Sequence, residues 1–124
     1  MRKKLVLSTL AKTWILDIDG TLLKHNGFLT GGDVVLPGVK EFYANIAPDD
    51  MVILLTARNH EDKEYIEKFL RENGLRFDQI IYDAPVGERI LVNDKKPSGL
   101  KTAYAINTKR DSKLEIKTII DKNL

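Results

Sequence analysis

Two carboxylates one residue apart, Asp17 and Asp19, stand at the end of the apolar run Trp14-Ile15-Leu16 and are followed at once by Gly20-Thr21. Residues two apart share a strand face, so a strand that stops here aims both acids at one point, and the glycine lets the backbone turn and stay open to a metal. The arrangement suits Mg²⁺ and a phosphate group; an Asx-type turn is the alternative, since Asp and Gly are ordinary turn residues. A second polar group closes another apolar run, Leu54-Leu55-Thr56-Ala57-Arg58. A hydroxyl at a strand end, followed by free N–H groups leading into a helix, can hold a phosphate oxygen through neutral donors and the helix dipole. Arg58 adds a fork-shaped cation suited to phosphate. Thr56 reads equally as a helix-start hydroxyl and Arg58 as a surface charge. The third group, Asn93-Asp94-Lys95, follows Ile90-Leu91-Val92. Mg²⁺ prefers hard oxygen ligands and is usually held by one or two carboxylates with phosphate and water, whereas Asn-Asp is also a common turn pair.

The elements that must position these groups alternate between strand and helix. Residues 13–18 read as a first strand. Val39, Phe42, Tyr43 and Ile46 form an i, i+3, i+4, i+7 stripe opened by Pro37, which predicts a helix over 38–47. Met51 to Leu55 is wholly apolar, the pattern of a strand buried on both faces. A second helix is expected from about 60 to 73, with Asn59 as N-cap, Tyr65, Ile66, Phe69 and Leu70 inward, and Asn73-Gly74 closing it. Gln79 to Tyr82 reads as a third strand and Ile90 to Val92 as a fourth, with Lys101 to Ile106 adding an edge strand. Ser112 with Glu115 forms a capping-box pattern that opens a last helix towards Leu124. This order predicts an α/β fold with a mainly parallel sheet. Ligands of such sheets bind beyond the carboxyl ends of the strands, which is where all three polar groups fall.

The 124 residues suffice for one domain, 1–124, with one core and no separate substrate domain. Lys+Arg 20 against Asp+Glu 18 leaves +2, too little to argue for nucleic acid or a membrane surface. There is no cysteine, which excludes disulfides, thiolate chemistry and zinc–thiolate sites. Met1-Arg2-Lys3-Lys4 with Leu5-Val6-Leu7 opens like a signal peptide, but Ser8-Thr9 and Lys12 stop the apolar run too early, and no stretch approaches transmembrane length. A cytoplasmic protein is expected.

Asp17-Ile18-Asp19-Gly20-Thr21 resembles the first motif of the haloacid dehalogenase (HAD) superfamily, whose commonest members are Mg²⁺-dependent phosphatases. Leu54 to Arg58 resembles its Ser/Thr motif, and Leu91-Val92-Asn93-Asp94-Lys95-Lys96-Pro97 its acidic metal motif. Over nearly the whole chain, and through Gly87 to Asn107 in particular, the sequence is similar to small capless phosphatases of bacterial surface-polysaccharide and sugar-phosphate pathways. The resemblance implies a three-layer, Rossmann-like HAD core without a cap. In the cap position stands only the flap Leu22 to Asp33, turned at Asn26-Gly27, with Lys24 and His25 near its tip.

Carried over residue by residue, the resemblance makes Asp17 the nucleophile that forms an aspartyl-phosphate and Asp19 the group that protonates the leaving oxygen and later activates water. Thr56 and the backbone amides near Ile18 and Ala57 would hold the phosphoryl oxygens. Mg²⁺ would be bound by Asp17, the backbone carbonyl of Asp19 and Asp94. Asn93 stands where many relatives carry a second acid, so weaker metal affinity is implied. The superfamily's pairing Lys or Arg has no counterpart just after the third strand, which reads Asp83-Ala84-Pro85. Arg89 starts the fourth expected strand, five residues or roughly 16 Å from Asp94, which makes it a poor substitute; Arg58 or Lys95 is expected to supply the charge.

The leading functional expectation is a Mg²⁺-dependent phosphomonoesterase acting on a sugar phosphate or similar small metabolite. Because an open site needs something to exclude water, a homo-oligomer is expected with it. A nucleic-acid end phosphatase is the second reading, disfavoured by the small charge and the lack of an aromatic-basic strip. A weakly catalytic HAD scaffold that binds phosphate or a partner is the third, kept by Asn93 and the missing lysine. A receiver domain would need its phospho-acceptor at Tyr82-Asp83 and a late Thr and Lys in set order, and Asp-x-Asp-Gly-Thr is not its pattern.

Overall fold

The computed structural model describes residues 3–29 and 31–124; Met1 and Arg2 of the amino-terminal segment and Thr30 of the flap lie outside the described residues. Seven elements follow one another: β1 (Lys3–Leu7), β2 (Thr13–Asp17), α1 (Val39–Ala44), β3 (Met51–Leu55), α2 (Lys63–Glu72), β4 (Gln79–Ile81) and β5 (Ile116–Ile120). The result is a mixed α/β arrangement with parallel strands in two small sheets, one ordered β2-β3-β4 and the other β1-β5. No described helix is long and apolar enough to cross a membrane.

The strand order explains where the core lies. Right-handed crossovers that advance in one direction across a sheet, β2 to β3 to β4, carry both of their helices to the same face. Val39 and Phe42 of α1 and Ile66 and Leu70 of α2 accordingly join one core with Trp14, Leu16, Val52, Leu54 and Ile80. Every second residue points the other way. Ile15, Met51 and Ile81, 47%, 48% and 49% exposed, lie on that opposite face, and no third layer covers it among the described residues. The expectation that Met51–Leu55 is buried on both faces therefore fails: only Val52 and Leu54 are buried, because one layer of helices is present and not two.

Local signals are met where the core supports them. Asn59 accepts a hydrogen bond from the Glu61 N–H (2.9 Å) and starts a 3₁₀ turn, His60–Asp62, that runs into α2. Gly74, at φ 72°, turns the chain out of that helix, with the Leu75 N–H bonded to the Leu70 carbonyl at 2.9 Å. Gly38 precedes α1 at φ 83°, and a methyl group there would strike the Leu114 backbone, whose N–H bonds to the Pro37 carbonyl (2.9 Å).

The carboxyl-terminal third departs from expectation. Ile90–Val92 and Lys101–Ile106 are not strands, and the helix expected from Ser112 is instead strand β5. Ser112 donates to the Lys109 carbonyl (2.7 Å) and so caps no helix. The β-branched run Ile116, Thr118, Ile119, Ile120 prefers extended backbone and finds a parallel partner in β1, Lys3 opposite Ile116.

Asp50 ties the start of β3 to the start of β2. Its carboxylate accepts from the Lys12 N–H (2.9 Å), the Trp14 indole (2.9 Å) and the Ala47 N–H (3.2 Å). Burial alone would raise its pKa, but these donors and the Lys12 charge outweigh it and hold the carboxyl below its ordinary value. A depressed folded pKa contributes stability that is present above the unfolded value and lost as pH falls through the folded one, here below about pH 4. Asp50→Asn is expected to unfold at lower urea at pH 7 and to lack this acid-dependent component, measured by urea titrations across the acid range.

Candidate active site

The carboxyl ends of β2 and β3 lie side by side, Asp17 opposite Leu55, so the residues that follow each strand meet. Asp17 accepts from the Thr21 hydroxyl at 3.0 Å and from Arg89 Nη1 at 2.7 Å. Both ends of the Arg89–Asp17 pair remain partly exposed, 37% each. After Asp17 the chain turns tightly: the Ile18 carbonyl accepts from the N–H groups of Leu22 (2.9 Å) and Leu23 (3.0 Å), and Gly20 adopts φ 89°.

Asp19 faces a denser set of partners. The buried Thr56 hydroxyl donates to its Oδ2 at 3.2 Å, and Arg58 approaches it through Nε (3.1 Å) and Nη2 (2.7 Å). The other side of the same guanidinium binds Asp33, Nη2 at 2.6 Å and Nη1 at 3.1 Å. The Asp33 side chain has no exposed surface, and those of Arg58 and Asp19 are 4% and 17% exposed. The Phe28 ring lies 4.4 Å from the guanidinium carbon. Burial alone would lower the Arg58 pKa; its hydrogen bonds to Asp33 and Asp19, and their charges, outweigh burial and raise it. Arg58 is thus a clamp that fastens the flap (Phe28, Asp33) to the ends of β2 and β3.

Several expected roles change with this geometry. Arg58 has its fork filled by two carboxylates and is not the spare cation for a phosphate. Lys95 lies in the exposed stretch 85–99 and forms no ion pair with Asp17 or Asp19 among the described residues. Arg89 is the cation at Asp17; measuring its distance along a strand from Asp94 misleads, because residues 90–92 form no strand and Asp94 is not at the site. The Ile18 N–H is bonded to the Leu55 carbonyl (3.1 Å) and is not free for a phosphoryl oxygen. The N–H groups of Ala57 and Asp19 carry no hydrogen bond among the described residues and are the available donors at these strand ends. Thr56 is turned to Asp19, so in this state it orients a carboxylate and does not face an open phosphate pocket.

Asn93 and Asp94 do not join Asp17 and Asp19. The Asn93 amide donates to the Thr102 hydroxyl (2.9 Å), which in turn bonds the Asp94 backbone carbonyl. No three His, Asp or Glu side chains come together as a metal site among the described residues. With Asp17 and Asp19 each ion-paired to an arginine, the donors within one copy of the chain do not fit Mg²⁺.

Asp33 was not picked out by sequence reasoning, and Arg89 was weighed there and set aside. A single acid after Gly31-Gly32 in a loop carries no period that would mark it as buried, and Arg89 was discounted by its spacing from Asp94 along an expected strand that does not form. The carboxyl-terminal segment also contributes: the Asp111 N–H bonds the Gly20 carbonyl (2.9 Å), its carboxylate accepts from the His25 N–H (2.7 Å), and Arg110 packs against Gly20. The imidazole Nδ1 of His25 is enclosed without a hydrogen-bond partner.

Because the Arg89 pair is half open to water, it contributes little to stability, yet Arg89 is the only cation that touches Asp17 among the described residues. Arg89→Ala is therefore expected to leave the urea midpoint almost unchanged, which unfolding measurements on the two proteins check. Comparison of the chain with family models, with curated proteins and with solved structures returned no match.

Proposed function

We propose that the chain is a HAD-type phosphomonoester hydrolase acting on a small phosphorylated metabolite of the sugar-phosphate kind. One observation carries the reading: a partly exposed Asp17 at a strand end, touched by Arg89, with Asp19 held two residues on by Thr56 and Arg58. A carboxylate oxygen of Asp17 attacks phosphorus, the bond to the leaving oxygen breaks, and Asp19 passes that oxygen a proton. Water, deprotonated by Asp19, then releases phosphate and restores Asp17. Arg89 and the N–H groups of Asp19 and Ala57 offset the charge on the phosphoryl oxygens. Mg²⁺ would shield nucleophile from substrate, but since its donors do not gather within one copy, no step runs through it.

The ion pairing of both aspartates also favours a second reading, a scaffold that binds phosphate without turnover. Sugar phosphates, nucleotides and a 3′-phosphorylated oligonucleotide, assayed with and without Mg²⁺, separate the two. Release from a sugar phosphate supports the hydrolase; preference for the oligonucleotide would redirect it to nucleic-acid ends. No release from any compound, with phosphate still bound, selects the scaffold.

A further inference from the structure

Four guanidinium groups among the described residues each hold a carboxylate: Arg58 those of Asp19 and Asp33, Arg71 that of Glu67, Arg76 that of Asp78 and Arg89 that of Asp17. Arg110 holds none. It is exposed, and its side chain makes no hydrogen bond or ion pair among those residues. A side chain without a partner ordinarily extends into water, yet this one lies along the turn that follows the two aspartates. A Cβ placed on Gly20 would meet the Arg110 Cγ at 3.2 Å, Nε at 3.7 Å and Cβ at 3.9 Å.

That turn belongs to the site. Gly20 follows Asp19, whose N–H is an open donor, and precedes Thr21, whose hydroxyl bonds the Asp17 carboxylate at 3.0 Å. Three residues of chain, at most about 11 Å between Cα atoms, separate Gly20 from Asp17. The backbone that carries Arg110 is fixed on both sides. Asp111, at φ 61°, gives its N–H to the Gly20 carbonyl (2.9 Å) and receives the His25 N–H of the flap on its carboxylate (2.7 Å). Ser112 closes the bend on the Lys109 carbonyl through its N–H (3.2 Å) and its hydroxyl (2.7 Å), and Leu114 beyond it is buried. A planar cation with its stem against a glycine and its backbone anchored to both turn and flap is ordered before any ligand arrives, which lowers the entropy lost on binding. Lys109, also exposed, adds charge of the same sign.

The fork of a guanidinium matches a phosphate or a carboxylate. The transferring phosphoryl group at Asp17 already has Arg89 and the N–H groups of Asp19 and Ala57, and Arg110 is displaced from Asp17 by the length of the turn. We infer that Arg110 binds a second anionic group, carried by the leaving part of the substrate, so that the substrate is a phosphomonoester bearing a further phosphate or carboxylate. This choice of substrate rests on the hydrolase reading; the binding of the second anion does not.

Three compounds with one core test it: glucose 1-phosphate, glucose 1,6-bisphosphate and glucuronic acid 1-phosphate. Calorimetric titration of the full chain at low ionic strength, where exposed charges are least screened, needs no turnover. At least one doubly anionic compound should bind about tenfold more tightly than glucose 1-phosphate, and which of them does so names the second anion. In Arg110→Gln the ratio should fall to near one, and in Arg110→Lys it should recover in part, since a point charge replaces the fork. Both variants should keep the wild-type circular dichroism spectrum, because the side chain they replace is exposed and unpaired. No binding of any compound, equal affinity of the wild type for all three, or a preference that survives Arg110→Gln overturns the inference. So does an equal loss of affinity for all three in Arg110→Gln, which would place Arg110 on the shared phosphoryl group. A preference that depends on Arg110, with no phosphate released from any compound, rejects the hydrolase reading and leaves the second-anion site standing. Release of phosphate without any such preference does the reverse.

Discussion

Asp17→Asn is expected to abolish phosphate release, lowering kcat by on the order of 10⁴-fold or more, as removal of a covalent nucleophile does. The amide keeps an oxygen acceptor for the Thr21 hydroxyl and nearly the same shape, so the fold should survive and substrate should still bind. What it loses, on the proposed mechanism, is the anionic oxygen that attacks phosphorus. Mass spectrometry of the wild type quenched during turnover should show a phosphoryl adduct on the peptide containing Asp17, absent from the variant. Retention of more than about one tenth of wild-type kcat would show that the attacking atom lies elsewhere. The result also separates Asp17 from Arg89, whose loss leaves a working nucleophile facing an unrelieved phosphate charge.

Arg58→Ala has the largest expected effect on stability. It leaves Asp33, with no exposed side-chain surface, and the nearly enclosed Asp19 facing each other as unpaired carboxylates. Breaking a buried ion network by removing one partner costs about 3–5 kcal/mol, a large part of the roughly 5–15 kcal/mol that holds a domain together. Urea unfolding should show the midpoint falling by a corresponding amount, and Asp33→Ala should cost less, because Arg58 keeps its fork on Asp19. Replacing Arg58 and Asp33 together by Met and Leu is expected to recover most of the stability, since apolar side chains of similar volume tolerate burial. On the proposed mechanism that double variant should still lose activity, because Thr56 alone then orients Asp19. A loss below about 1 kcal/mol in Arg58→Ala would mean that the clamp behaves as a surface ion pair.

How far the sequence disclosed this depended on whether local pattern and long-range partner agreed. Met51–Leu55 and α2 were legible because apolar runs and i, i+4 spacing match the core they meet, although one-sided burial of β3 follows from strand order, which no local pattern encodes. Ile116–Ile120 misled, because Ser112 and Glu115 imitate a helix start while β1, the partner that decides the matter, lies at the other end of the chain. Ile90–Val92 has the composition of a strand but pairs with no other strand among the described residues. At the site, Asp17, Asp19, Thr56 and Arg58 were identified as a group and do meet. Their pairing was not visible, because the residue that diverts Arg58, Asp33, is marked by nothing but its position in the folded flap.

The pairing of β1 with β5, Lys3 beside Ile116, has a kinetic consequence. Closing so long a loop is entropically unfavourable until the intervening chain has condensed. On a ribosome, β1 emerges before the other described elements and waits through their synthesis for its neighbour. The three strands of the other sheet and their helices are therefore translated while β1 is still unpaired, and β5, which follows them, ends its exposure.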